Sequence, residues 1–205
     1  MQLLANTTSP FVRIARMVMI EKGLEVEPTI VDPWADDARL RAANAATRVP
    51  TLVLDDGTPL SECLLIVQWL QATRPDPTVL GTDPARLAGV LARAGIAIGA
   101  IEASTITIIT RKVTAPVLFD ETPVGLRRRR TMVEGMQRLE ALAGELEASA
   151  APGAVPSLDV MAAVTLFDYQ QFRYAGQPWL PETPALKTLS ERLNERPSFQ
   201  RTRPH

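Results

Sequence analysis

The sequence predicts two unlike halves, an α/β half built on a small mixed sheet followed by an all-helical half, and three observations carry that prediction. Residues 2–73 alternate short extended stretches with helical ones. RPDPTVLGTDPAR, residues 74–86, holds three prolines and a glycine that no helix or strand can cross, and beyond it no convincing pair of strands follows. The halves are accordingly set at residues 1–75 and 84–205, with a linker at 76–83.

Each element has a local reason. QLLA, residues 2–5, is short and apolar and reads as a strand. Residues 10–22 read as a helix, with Ser9 at the capping position, Pro10 at the first helical position and Gly23 at the end. EVEPTIV, residues 25–31, is extended, and residues 35–43 are helical. TLVLDDGTPL, residues 51–60, gives a strand, an Asp-Asp-Gly turn and a second strand, after which SECLLIVQWLQAT reads as a helix opening at Ser61. The order βαβ, α, ββα pairs the first strands in parallel and the last two as a hairpin. In the second half, residues 84–112, 123–149, 157–174 and 183–196 read as helices separated by Pro and Gly clusters. TITIIT, residues 105–110, has strand propensity, but the apolar helix-like sequence before it and the lack of a partner strand place it in a helix.

Bulk properties exclude several functions. With 205 residues, 46% of them hydrophobic, the chain can bury one good core or two modest ones. The formal charge of −1, from 22 basic and 23 acidic residues, creates no whole-molecule field toward nucleic acid or membrane. LRRRR, residues 126–130, is a run on a helix that points in every direction, has no interleaved aromatics and is followed by acids, so a solvated or subunit-facing helix is favoured over a nucleic-acid site. The most apolar tract, Leu87 to Thr110, contains Arg93, Glu102 and three glycines, which favours a buried helix over a membrane span. A single cysteine, Cys63, forms no intramolecular disulfide, and the first 20 residues lack signal-peptide features, so a reduced, cytoplasmic protein is expected. The sole histidine, His205, is the last residue, which disfavours a histidine-based triad, and no cluster has metal-ligand spacing.

Three stretches could carry chemistry. In NTTSPFVRIAR, residues 6–16, Ser9 either caps a helix or presents a hydroxyl at its positive tip, and the two are compatible, because a serine can accept from an amide and still donate its proton outward. TRVPTL, residues 47–52, places a proline at a strand entrance. GTPLSECLLIVQWL, residues 57–70, opens a helix on Ser61, Glu62 and Cys63. Taken singly, each is ordinary secondary-structure chemistry.

In this order the three stretches resemble the cytosolic glutathione transferases, and bacterial serine-type members in particular. The resemblance runs through TTSPFVRIARMVMIEKGLEVE, NAATRVPTLVLDDGTPLSECLLIVQWL, VPSLDVMAAVTLFDYQQFRY and ERPSFQRTRP, with the least support between residues 85 and 150. It implies a thioredoxin-like N-terminal domain, an all-helical C-terminal domain and a homodimer. It further implies glutathione as co-substrate, with no metal, and a small hydrophobic electrophile. Val49, ahead of a cis Pro50, would pair its backbone with the ligand's central cysteine as an added strand does. Arg48 would reach the glycyl carboxylate. Glu62 would take the γ-glutamyl ammonium, while Cys63, where the family usually has Ser, and the first amides of the helix would take the carboxylate.

Ser9 would activate the thiol, with Thr8 and Thr7 as alternates. Bringing a thiol from about 8.5 to below 7 requires about 2.7 kcal/mol, which one hydrogen bond to a charged group (about 1.5–3 kcal/mol) and a helix N-terminus (about 0.3–1 kcal/mol) together supply. Disulfide exchange is disfavoured at Ser9, which forms no mixed disulfide, and at Cys63, which has Glu62 beside it. Helical spacing and the resemblance suggest an electrophile pocket from Phe11, Ile98, Ile101, Thr105, Ile108 and Arg111. Asp159 would stabilise a helix start behind the N-cap Ser157, a structural role, although Pro156 stands where the family's capping box has Ser or Thr. Two alternatives stand beside a transferase: a non-catalytic binding or partner protein, and a glutathione-dependent isomerase or dehalogenase.

Overall fold

The structure, a computed structural model, describes residues 1–81, 83–116 and 118–204. Thr82 in the expected linker and the terminal His205 lie outside the described residues. In chain order the elements are β1 (Gln2–Ala5), α1 (Pro10–Glu21), β2 (Pro28–Ile30), α2 (Ala38–Ala43), β3 (Thr51–Val53), β4 (Pro59–Ser61), α3 (Cys63–Thr73), α4 (Pro84–Thr114), a 3-10 turn (Phe119–Glu121), α5 (Pro123–Ala141), α6 (Ala143–Ala148), α7 (Leu158–Tyr174), α8 (Pro184–Leu193) and α9 (Pro197–Gln200). They divide into two compact units, residues 1–79 with 196–205, and residues 80–195. The α/β half followed by helices is as expected. Residues 196–204, assigned from sequence to the helical half, instead group with the first unit.

In the first unit the sheet order is β2-β1-β3-β4, with β1 parallel to β2 and antiparallel to β3, and β3 antiparallel to β4. Leu3, Leu4 and Ala5 of β1 and Leu52 of β3 are buried, as are Val12, Ile14, Met17 and Val18 of α1 and Ile66, Val67 and Leu70 of α3. Gly23, at φ +67, ends α1: its amide donates to Ile20 O (2.9 Å) and that of Leu24 to Met19 O (2.8 Å), a closure that favours glycine.

Three boundaries differ from expectation. The helix after β2 begins at Ala38 because the Asp37 carboxylate accepts from the Arg39 and Leu40 amides. The strand expected across 25–31 narrows to Pro28–Ile30, the part in register with β1. The last helix of the half opens at Cys63, since Ser61 is taken by β4 opposite Thr51. The C-terminal segment joins this unit through Glu21, whose carboxylate, 7% exposed, accepts from Arg196 Nε (2.5 Å) and Nη2 (2.6 Å) and from the Ser198 hydroxyl.

The second unit is built around α4, which packs on α5 and α7, while α7 also packs on α8. By length and composition α4 could cross a membrane. One face of it, with Ala97, Ala100, Ile101, Ala103 and Ser104, is buried within the second unit. Its β-branched run is helical, packed on α5 and α7, and its hydroxyls are satisfied by carbonyls one turn back: Thr105 to Ile101 (2.9 Å), Thr107 to Ala103 (2.8 Å) and Thr110 to Ile106 (2.8 Å). A Cβ at Gly135 of α5 would lie 2.8 Å from the Ala100 Cβ, so the α4–α5 approach uses the absence of a side chain there.

The helix expected over 123–149 breaks at Leu142, whose amide donates three residues back, to Leu139 O (3.1 Å). Ser157 occupies the N-cap of α7 without a side-chain capping bond. Its hydroxyl donates to Asp159, a fully buried carboxylate that also accepts from Arg93 Nε of α4 at 2.7 Å. In the arginine run, Arg129 lies over the Trp179 ring at 5.7 Å and donates to Asp120 O, and Arg130 sits 3.8 Å from Glu134 in an exposed pair.

Candidate functional site

Sheet register brings the three chemically suggestive stretches together. Leu4, near the end of β1, faces Thr51, the start of antiparallel β3, and Thr51 faces Ser61, the end of β4. The segments 6–9, 48–50 and 62–63 therefore all meet the sheet at one end.

At the first segment Ser9 is half-buried and caps α1, its Oγ accepting from the Val12 amide at 3.3 Å. That bond uses a lone pair and leaves the hydroxyl proton to be donated elsewhere. The Ser9 amide donates to Asn6 Oδ1 at 2.8 Å, which fixes the turn between β1 and α1. No acidic side chain stands in the first turn of α1, so the helix's positive end is not neutralised from within that turn. Thr8 is half-buried and Thr7 exposed, and of the three hydroxyl residues Ser9 is the one at the helix cap.

At the second segment the Val49–Pro50 peptide is cis, Val49 is half-buried and Pro50 buried. Arg48 is 71% exposed, and its Nη1 lies 3.4 Å from Glu62 Oε1, whose side chain is 54% exposed. The resemblance places these two at opposite ends of a tripeptide, whereas here they face each other. A pair this exposed contributes at most about 1 kcal/mol, so it opens at little cost.

Glu62 links β4 to α3 at φ 68, in the left-handed region that few non-glycine residues adopt, and makes no side-chain capping bond to α3. Cys63 follows as the first residue of α3 and is only 4% exposed. Burial, reinforced by the Glu62 charge, pushes its thiol up to about 12. The thiol is thus a buried, protonated group, and what Cys63 offers a ligand is its backbone amide.

The suggested pocket residues divide. Phe11 is half-buried in the first unit. On α4, Ile98, Thr105 and Ile108 are half-buried, with Ile108 against the cluster of Ala103, Met132 and Tyr174. Ile101 is fully buried, which makes it core and not pocket wall. Arg111 holds Asp120 through Nε at 2.8 Å and through Nη2, and lies 5.2 Å from the Tyr174 ring centre, so its charge is engaged within the unit. Among the described residues no group of three His, Cys, Asp or Glu side chains is placed to hold a metal ion. Sequence reading missed Asn6 and Asn44. The spacing of Asn6, three residues before Ser9, is a turn signal that could have found the first. The second has no local signal.

Residues 8–73 match the family described as glutathione S-transferase, N-terminal domain. The chain is 27% identical over 204 residues to the uncharacterized GST-like protein YibF of Escherichia coli K12, covering 100% of this chain and 98% of that protein. It is 27% identical to the maleylacetoacetate isomerase of Pseudomonas aeruginosa PAO1, covering 97% and 92%. Among solved structures, a glutathione S-transferase of Methylobacterium radiotolerans JCM 2831, in complex with glutathione sulfonate, superposes with a TM-score of 0.87 at 28% identity, covering 100% of this chain and 94% of that one. A glutathione transferase family member of Pseudomonas fluorescens Pf-5 with bound glutathione shares the fold at a TM-score of 0.84 and 22% identity, covering 100% and 98%. The first unit is accordingly thioredoxin-like.

Proposed function

We propose that the chain, whose residues 8–73 match the glutathione S-transferase N-terminal domain family, is a glutathione transferase that ionises the glutathione thiol at the tip of α1 and directs it at a hydrophobic electrophile. The observation that carries this reading is Ser9, which caps α1 through a lone pair and keeps its proton available beside the helix's positive end. The donor set suits the tripeptide: a cation at Arg48, a carboxylate at Glu62, an uncapped helix start at Cys63 and the Val49 backbone ahead of Pro50. As the ligand enters, Arg48 and Glu62 exchange their mutual contact for its glycyl carboxylate and its γ-glutamyl ammonium. The Ser9 hydroxyl donates to the thiolate sulfur, and the ligand's fixed position supplies orientation for attack. On this reading the protein acts as a cytoplasmic homodimer in detoxification, without metal, nucleic acid or membrane partner.

Retention on immobilised glutathione, followed by a chloronitroaromatic conjugation assay on wild type and Ser9→Ala, tests the reading. The wild type is expected to bind and turn over, and Ser9→Ala to bind while losing about 10²-fold in rate at neutral pH, from loss of a hydrogen bond to a charged atom. Full activity in Ser9→Ala would remove Ser9 from its role. A second reading, isomerisation with glutathione as a recycled nucleophile, is favoured by one observation, the end-to-end similarity to maleylacetoacetate isomerases. It requires the same thiolate and is separated by assaying cis–trans conversion of an unsaturated dicarboxylate with catalytic glutathione.

A further inference from the structure

One buried side chain next to the proposed glutathione loop has no part in the chemistry above. Asn44 ends α2 and is 8% exposed. Its Oδ1 accepts from the Ala46 amide at 2.9 Å, and its Nδ2 donates to Arg48 O at 3.2 Å and to Thr51 Oγ1 at 3.0 Å. Its backbone carbonyl accepts from the Thr47 amide at 2.9 Å, and its own amide donates to Leu40 O at 2.8 Å. The fully buried Thr51 adds a second donor to the same carbonyl, Oγ1 to Arg48 O at 2.8 Å. Between these bonds Thr47 turns the chain at φ 51.

The Arg48 carbonyl thus receives two donors from the protein interior. The Arg48–Val49 peptide is trans, the cis bond being the next one along. In a trans peptide the carbonyl and the following N–H point in opposite directions. Pinning the Arg48 carbonyl inward therefore aims the Val49 N–H outward, and sets where the exposed Arg48 side chain leaves the loop. We infer that Asn44, with Thr51 as its second, is a positioning residue for glutathione affinity: it presents the Val49 amide edge and Arg48 to the ligand and has no role in ionising the thiol. The inference rests on the glutathione reading of the site.

Isothermal calorimetry with reduced glutathione and steady-state kinetics on the full-length protein test it, using Asn44→Ala, Thr51→Val and the conservative Thr51→Ser. The expected result is a rise of about tenfold in Kd and KM for glutathione in Asn44→Ala and Thr51→Val, the scale of one lost hydrogen bond. Thr51→Ser should return to within about twofold of wild type, because it keeps the hydroxyl donor. In all three, kcat at saturating glutathione and the pH midpoint of thiolate formation should match wild type, since Ser9 sits on a separate segment. A purely structural role would instead lower thermal stability and leave Kd unchanged in the folded fraction, which would overturn the inference, as would a fall in kcat with KM unaltered. Should Asn44→Ala fail to fold, Thr51→Val against Thr51→Ser decides alone. No binding by the wild type at millimolar glutathione overturns the functional reading and this inference with it, whereas wild-type-like binding by Asn44→Ala and Thr51→Val overturns this inference only.

Discussion

Ser9 answers two demands with one hydroxyl: it accepts from the Val12 amide and keeps a proton to give. Asn6 holds the Ser9 backbone through a 2.8 Å bond, so Asn6→Ala should raise the pH midpoint of thiolate formation. A thiolate absorbance titration with bound glutathione reads this directly, and equal midpoints for Asn6→Ala and wild type would exclude the contact from any part in catalysis. Cys63 makes the opposite case. Its thiol is held up to about 12 by burial and by Glu62, so at pH 8 roughly one molecule in 10⁴ carries a thiolate. Alkylation by iodoacetamide at that pH should be undetectable in the folded protein and rapid in denaturant. The folded value lies above the unfolded one near 8.5, so the protonated thiol's contribution to stability is complete below about pH 8.5 and declines as pH rises toward about 12. The sequence showed Ser9 as a cap and Cys63 as a departure from the family's usual Ser. That Cys63 turns its sulfur inward depends on α3 packing against α1, which no local pattern encodes.

The elements were legible where their ends carry chemistry of their own. Pro10, Pro84, Pro123 and Pro184 each stand at the start of a helix, and Gly23 closes α1. The break at Leu142 was not legible, because no proline marks it, Gly144 lies inside the following helix, and the tightening to Leu139 is a local backbone choice. Long-range pairs were equally hidden: Arg48 and Glu62 are 14 residues apart, and Arg93 and Asp159 are 66 apart. Those pairs yield stability predictions. Asp159→Ala leaves Arg93, 15% exposed, without its buried partner and should cost about 3–5 kcal/mol in denaturant unfolding. At the α4–α5 approach, Gly135→Val places atoms where Ala100 already stands and should cost about 1–3 kcal/mol, whereas a neutral result would mean that the helices separate freely.

At the scale of the whole molecule, the thioredoxin-like unit is completed by the chain's own C-terminal segment. Glu21 of α1 holds Arg196 and Ser198, so Glu21→Ala should destabilise the protein by about 3 kcal/mol, toward the low end for a buried pair because Arg196 keeps some solvent. An urea midpoint identical to wild type would show that the segment is not integral. The two-part architecture was readable from the alternation of short elements and the proline cluster, while the return of residues 196–204 to the first unit was not, because it hangs on contacts that span about 175 residues. On the proposed function, the end of the sheet where residues 6–9, 48–50 and 62–63 meet lowers the pKa of a bound thiol. The most direct test of that claim is the ultraviolet thiolate absorbance of protein-bound glutathione against pH, in wild type and Ser9→Ala. The account predicts a midpoint below about 7 in the wild type and a return toward about 8.5 in Ser9→Ala. A wild-type midpoint near that of free glutathione, or one that Ser9→Ala leaves in place, would contradict it.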